Sequence, residues 1–267
     1  MTRVDQKSTP AADALCAAAP AARIRALLPV VAILAWCIDC AEGDTLSADE
    51  VIDSMMTATA SERSRNAVQS LTTTADCEGP DGQFETTVTS IRPDTVYFRQ
   101  ASARGITEIW STAERTWGGS VGEEYEHLTP QVRDFVRGHE FHLMLIDIRS
   151  RFSNFELHGP ETVLDAECLR ISMTGETGED ASICIRTDDW LPVELRLNPA
   201  GAAAPVRITF RDWRAVEGLN VFHSMELTEE PDRVFTYDYV DISVNTFAYE
   251  IRVPPPGLPR VRPDGPG

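Results

Sequence analysis

Between Trp190 and Pro256 the chain alternates bulky apolar and polar residues in three successive runs. Turn-forming residues close them at Asn198-Pro199-Ala200-Gly201, Glu217-Gly218 and Glu230-Pro231-Asp232. Alternation places every second side chain on one face of a strand, so each strand has an apolar face and a polar one. Successive strands of this kind predict an antiparallel meander whose apolar face needs a cover.

Upstream the same period recurs around two helical segments. Ser47 followed by Glu50 is a capping box opening a helix whose apolar side carries Ile52, Met55 and Met56. From Ala67 the period falls to two, with Val68, Leu71 and Thr72–Thr74 in one strand and Phe84, Thr86, Val88 and Ser90 in the next. Arg92-Pro93-Asp94-Thr95 reads as a turn, Val96 and Phe98 continue, and Ile106, Glu108 and Trp110 enter a hairpin that returns at Thr116-Trp117. Thr129-Pro130 opens a second helix, the cap residue first and proline where its missing N–H is unneeded. That helix is expected to reach about Phe152, weakened at Gly138, with Val132, Phe135, Val136, Leu143 and Ile146 on its apolar side. Strands resume near Phe155; Leu169, Ile171 and Met173 are answered by Ile183 and Ile185 across an acidic turn. The expectation is one α+β domain: a long curved antiparallel sheet with two helices held against its concave side.

The N-terminus adds a compartment. Arg23 and Arg25 precede the apolar run Ala26–Ile38, too short to span a bilayer but of signal-peptide length, and Ala41-Glu42-Gly43 follows. Residues 1–43 are therefore expected to be a leader, 44–256 the exported domain, and the Pro/Gly-rich 257–267 a loose tail. A rival reading makes Cys37 a lipidated residue and the protein lipid-anchored, although bulky Trp36 stands where a small residue is wanted. Either reading places the chain in the periplasm or cell envelope. The net charge of -18 excludes a phosphate-binding surface, hence nucleic-acid partners, and favours a soluble monomer. Three cysteines, Cys77, Cys168 and Cys184, lie beyond the leader. Cys168 and Cys184 flank the turn Thr174–Asp180, and a symmetric hairpin register would set them face to face as a candidate disulfide.

Little in the chain points to catalysis. His139-Glu140-Phe141-His142 spaces its histidines three apart, where the zinc-protease pattern needs four. The acidic turns Glu123-Glu124 and Glu179-Asp180 lack the alternating ligands and central glycine of a calcium loop. Asp188-Asp189 has no neighbour that would separate two carboxyl pKa values. No catalytic residue, metal ligand or cofactor site is therefore assigned, and an enzyme is not expected.

Several segments together resemble the LolA-like family of outer-membrane lipoprotein-sorting and lipoprotein-carrier proteins. They are the helix SADEVIDSMMTA, the hairpin EIWSTAERTW, Asp188-Asp189-Trp190-Leu191-Pro192-Val193, the strand from Phe210 to Leu219, and Val244-Asn245 with Phe247 and Val253-Pro254. Two places depart from the family pattern. Glu114-Arg115 replaces the usual aspartate-glycine turn, implying a longer loop, and Phe222-His223-Ser224 stands where relatives place a proline. The resemblance implies an unclosed barrel of about eleven strands, a helical lid and an apolar cavity for the acyl chains of lipids or lipoproteins. On that implication Val96, Phe98, Trp110, Leu195, Ile208, Phe210, Met225 and Leu227 would point into the cavity, and Met55, Met56 and Met144 would line the lid. A carrier that trades with an envelope membrane protein is the first expectation. An RseB-like sensor or a ligand-free structural domain are the alternatives.

Overall fold

The computed structural model describes residues 46–176, 178–198, 205–229 and 233–246. The described residues all belong to one compact unit. The expected leader with Cys37, the tail 257–267, Phe247, Val253-Pro254 and the turn residues 199–201 and 230–232 lie outside the described residues.

Helix α1 (Ala48–Thr59) opens on the capping box. The Ser47 Oγ accepts from the Glu50 backbone N–H at 3.2 Å and the Glu50 carboxylate accepts from the Ser47 N–H at 2.8 Å. Its apolar stripe, Val51, Ile52, Met55 and Met56, is buried. A second short helix, α2 (Glu62–Ala67), occupies the polar run that follows, capped by Ser61, whose Oγ accepts from the Ser64 N–H.

Six strands come next: β1 (Ser70–Gly79), β2 (Gly82–Ile91), β3 (Thr95–Ser102), β4 (Gly105–Ser111), β5 (Thr116–Ser120) and β6 (Glu126–His127). Helices α3 (Pro130–Gly138) and α4 (Phe141–Ile146) and a 3-10 turn (Ile148–Ser150) precede the remaining strands. These are β7 (Phe152–Val163), β8 (Ala166–Gly175), β9 (Asp180–Arg186), β10 (Pro192–Asn198), β11 (Val206–Val216), β12 (Leu219–Glu229) and β13 (Arg233–Val244). All thirteen form one antiparallel sheet in the order β6-β5-β4-β3-β2-β1-β13-β12-β11-β10-β9-β8-β7. Two meanders thus join where β1 pairs with β13. The edges β6 and β7 do not pair, so the sheet stays open. The strand count exceeds the expected eleven, in part because two-residue β6 is too short to leave any periodic trace.

The seam between first and last strands is clamped by Asn245. Its side-chain oxygen accepts from the backbone N–H groups of Gln69 and Ser70 at 2.6 and 3.2 Å, and its amide donates to the Ala67 carbonyl at 3.0 Å. Asn245 sits at φ 58°, a conformation asparagine tolerates better than most residues.

The second helix is not continuous to Phe152; it breaks at Gly138-His139-Glu140. The helix α3 fully buries only Val136, whereas α4 buries Phe141, His142, Met144, Leu145 and Ile146. A straight rod could not turn one narrow stripe and then nearly all its sides into the core, so the chain reorients between them. Glu140, 5 % exposed, anchors the break through ion pairs to Arg151 and, at 3.9 Å, Arg137.

On the concave face, cross-strand neighbours build a continuous apolar ladder: Ile171, Ile183, Leu195, Ile208, Leu227 and Phe235. The helices α1 and α4 pack onto this ladder and share one core with it. On the opposite face the sulfurs of Cys168 and Cys184 are bonded. The register pairs Cys168 with Arg186 and Cys184 with Arg170, so the cysteines are diagonal rather than face to face, their Cα atoms 5.6 Å apart. Diagonal neighbours on one sheet face remain within reach of one another. Beside them Arg170 donates to Glu161 and to buried Glu194, each at 2.7 Å, and Arg196 also reaches Glu194 at 2.7 Å.

Candidate functional site: an apolar hollow beneath helix α3

Where α1 and α4 end, the concave face is left partly uncovered and a hollow of about 530 Å³ opens. Its floor is the end of the ladder: Ile208 of β11, Leu227 of β12, and Phe235 and Tyr237 of β13. Phe84 of β2 and Phe98 of β3 form one wall, and Phe135, His139 and Phe141 from the α3–α4 break form the roof. At the rim Arg104 lies 3.7 Å from Asp81 with both groups well exposed, and buried Thr86 is a polar member of the wall. A second hollow, about 590 Å³, is lined by the carboxylates of Asp76, Glu78, Glu85 and Asp238. Four anionic groups make it a poor place to desolvate an apolar ligand.

The buried titratable groups near the first hollow are shifted toward their neutral forms. His139 packs against Phe135 and Phe98, ring centroids 4.4 and 5.2 Å away, and burial lowers its pKa below the usual imidazole value. Deeper in, His142 stacks on Phe222 at 3.9 Å and its Nε2–H donates to the Phe222 carbonyl at 2.9 Å. Burial pushes His142 down to about 3. Desolvation likewise pushes the Cys77 thiol up to about 12, far from the thiolate a nucleophile requires. Among the described residues no three His, Cys, Asp or Glu side chains gather as a metal site would need. The hollow can enclose apolar surface.

Of the residues expected to point inward, Phe98, Ile208 and Leu227 line the hollow. Leu195, Phe210 and Met225 are on the concave face but packed solid beneath the helices. Val96 is buried with Val88, Ile109 and Val136 under α3. Trp110 was expected inward and is not. Phe98 pairs with Ile109, which puts Ile109 inside; Trp110 pairs with Tyr97 and Trp117 on the opposite face, where the three cluster with Tyr125. The methionines Met55, Met56 and Met144 fill the core between helices and sheet, so α1 and most of α4 act as a plug, and α3 with the start of α4 overhangs the hollow. The sequence reading missed Phe84, Phe135, Phe141, Phe235 and Tyr237 as walls. Phe235 and Tyr237 were findable, because they share β13 parity with the ladder; the roof depended on a helix break that no local pattern fixes.

The same architecture is found in solved structures. A LolA superfamily protein from Nitrosomonas europaea superposes with a TM-score of 0.55 at 12% identity, covering 79% of this chain and 99% of that one. A DUF1329 family protein from Desulfovibrio piger gives 0.53 at 10% identity, over 77% and 96%. A domain from Vibrio parahaemolyticus named for outer-membrane lipoprotein sorting gives 0.50 at 11% identity, over 76% and 95%. The chain therefore has the LolA-like fold. No family model matches it, and no curated protein matches it.

Proposed function

We propose that this chain is an exported, non-enzymatic carrier of the cell envelope that binds the acyl chains of lipids or lipoproteins. The observation that carries the reading is the aromatic- and aliphatic-walled hollow beneath α3, open at a polar rim. Each methylene moved from water into such a site is stabilised by about 0.8 kcal/mol. Loading needs a part that yields. The helix α3 fully buries one side chain, Val136, and ends in a break, so it can lift at small cost. The helix α1 is held more firmly: Arg149 pairs with Asp49 and Asp53, both at 2.9 Å, and Asn220 donates to the Ala58 carbonyl at 2.6 Å. Native mass spectrometry of protein purified from its own envelope fraction tests the proposal. Co-purifying lipid, or uptake of a fluorescent fatty acid by the apo protein, supports it. An apo mass with no uptake leaves only a structural envelope domain.

A further inference from the structure

We infer that the hollow holds one acyl chain, of up to about 16 carbons, and so selects single-chain lipids over diacyl and triacyl ones. This rests on the carrier reading and narrows its ligand.

Volume makes the first argument. The hollow measures about 530 Å³. A methylene packed at organic density occupies about 27 Å³, so roughly 20 would fill it to the rim. A chain of about 16 carbons fits with its head group among the rim residues. Two such chains need about 860 Å³ and three about 1,300 Å³ at the same density, both well beyond the space present.

Enlargement makes the second argument, because the rest of the concave face is already occupied. Met55 and Ile52 of α1 and Leu145 of α4 are no more than 1 % exposed, pressed against the ladder. To admit a second chain α1 would have to leave, and both of its ends are fixed. Arg149, paired with Asp49 and Asp53, holds the first; Arg65, donating to the Met56 carbonyl at 2.7 Å, and a β-bridge between Ala60 and Leu219 hold the second. Lifting α3 widens the mouth and bares Val88, Val96 and Ile109 beside it, while the floor of Ile208, Leu227 and Phe235 keeps its depth. The third argument is polarity. Beyond the apolar walls stand Asp81, Gln100, Arg104 and Glu229, a rim suited to one hydrated head group.

Displacement of a fluorescent single-chain fatty acid from the purified full chain tests this. Competitors are saturated fatty acids of about 8 to about 20 carbons, a lysophospholipid, a diacyl phospholipid and a triacylated lipopeptide. The expected result is one probe per chain, affinity rising about fourfold per added methylene, and a plateau near 16 carbons. Diacyl and triacyl lipids should compete at least a hundredfold less well, as ligands whose extra chains stay in water. Equal competition by fatty acid and lysophospholipid shows that the chain alone is read; competition by the fatty acid alone assigns the carboxylate to the rim. Either supports the single-chain site. A further arm uses Gln100→Trp, which fills the upper hollow and should shorten the optimum by about three carbons. Full competition by the diacyl or triacyl ligand, or an unmoved optimum in that variant, overturns the inference and leaves the carrier reading standing. Failure of the probe and of every lipid to bind overturns the carrier reading itself.

Discussion

Acid sensitivity of the fold follows from the buried imidazole of His142. It is 4 % exposed, stacked on Phe222, edge-on to Tyr239 at 4.5 Å, and donates from Nε2 to the Phe222 carbonyl. Burial depresses its pKa from 6.5 to about 3, so between those values the unfolded chain binds a proton that the folded chain refuses. The stability from keeping His142 neutral is therefore complete above pH 6.5 and is lost as pH falls toward 3. At pH 5 the loss is about 2 kcal/mol, at roughly 1.4 kcal/mol per pH unit. His139 is shifted in the same direction and adds to it. Carboxylates with lowered pKa, such as Glu161 beside Arg170, lose their contribution mainly below about pH 4.5, so the interval from pH 7 to 5 isolates the imidazoles. Urea unfolding followed by circular dichroism at both ends of that interval is the assay. Glutamine can donate to the same carbonyl without titrating. His142→Gln should cost about 1–2 kcal/mol at pH 7 through lost stacking, yet recover about 2 kcal/mol of the acid loss. A variant that loses as much stability as the wild type between pH 7 and 5 refutes the reasoning.

Packing predicts a contrast along the ladder. Leu195, fully buried between Ile183 and Ile208, should lose about 3 kcal/mol as Leu195→Ala, whereas Leu227→Ala, facing the hollow, should lose about 1–2 kcal/mol, as read by thermal unfolding. Equal losses would mean the hollow is closed in solution. Replacing both Cys168 and Cys184 by alanine should cost about 3 kcal/mol, the loop-closure value for a separation of 16 residues, and reduction of the wild type should lower the urea midpoint similarly.

How much of this was legible in the sequence depended on whether local chemistry or register decided the matter. The capping box at Ser47 and Glu50 is a local contact, and it stands in the structure as the sequence predicts. So does the loop at Thr112–Arg115, where the missing glycine leaves a four-residue connection between β4 and β5, closed by the Thr112 side chain. Alternation found the β8–β13 ladder because the large aliphatic residues of those strands fall mainly on one face. It failed at Trp110 because both faces there are apolar: Val96, Phe98 and Ile109 on one, Tyr97, Trp110 and Trp117 on the other. Parity then follows from which residue pairs with Phe98, which is long-range information. The same limit shifted the cysteine pair by two residues. The weak point at Gly138 was legible, but the full break through Glu140 is fixed by Arg151 from outside the helices.

The central claim is that the hollow beneath α3 encloses an acyl chain. A fatty acid brominated near its methyl end, bound and then located by anomalous scattering in crystals, tests it most directly. The account predicts a bromine peak deep in the hollow, in contact with Ile208, Leu227 and Phe98. A peak on the outer face or at the acidic groove of Asp76 and Asp238, or no peak in crystals grown with saturating ligand, contradicts it.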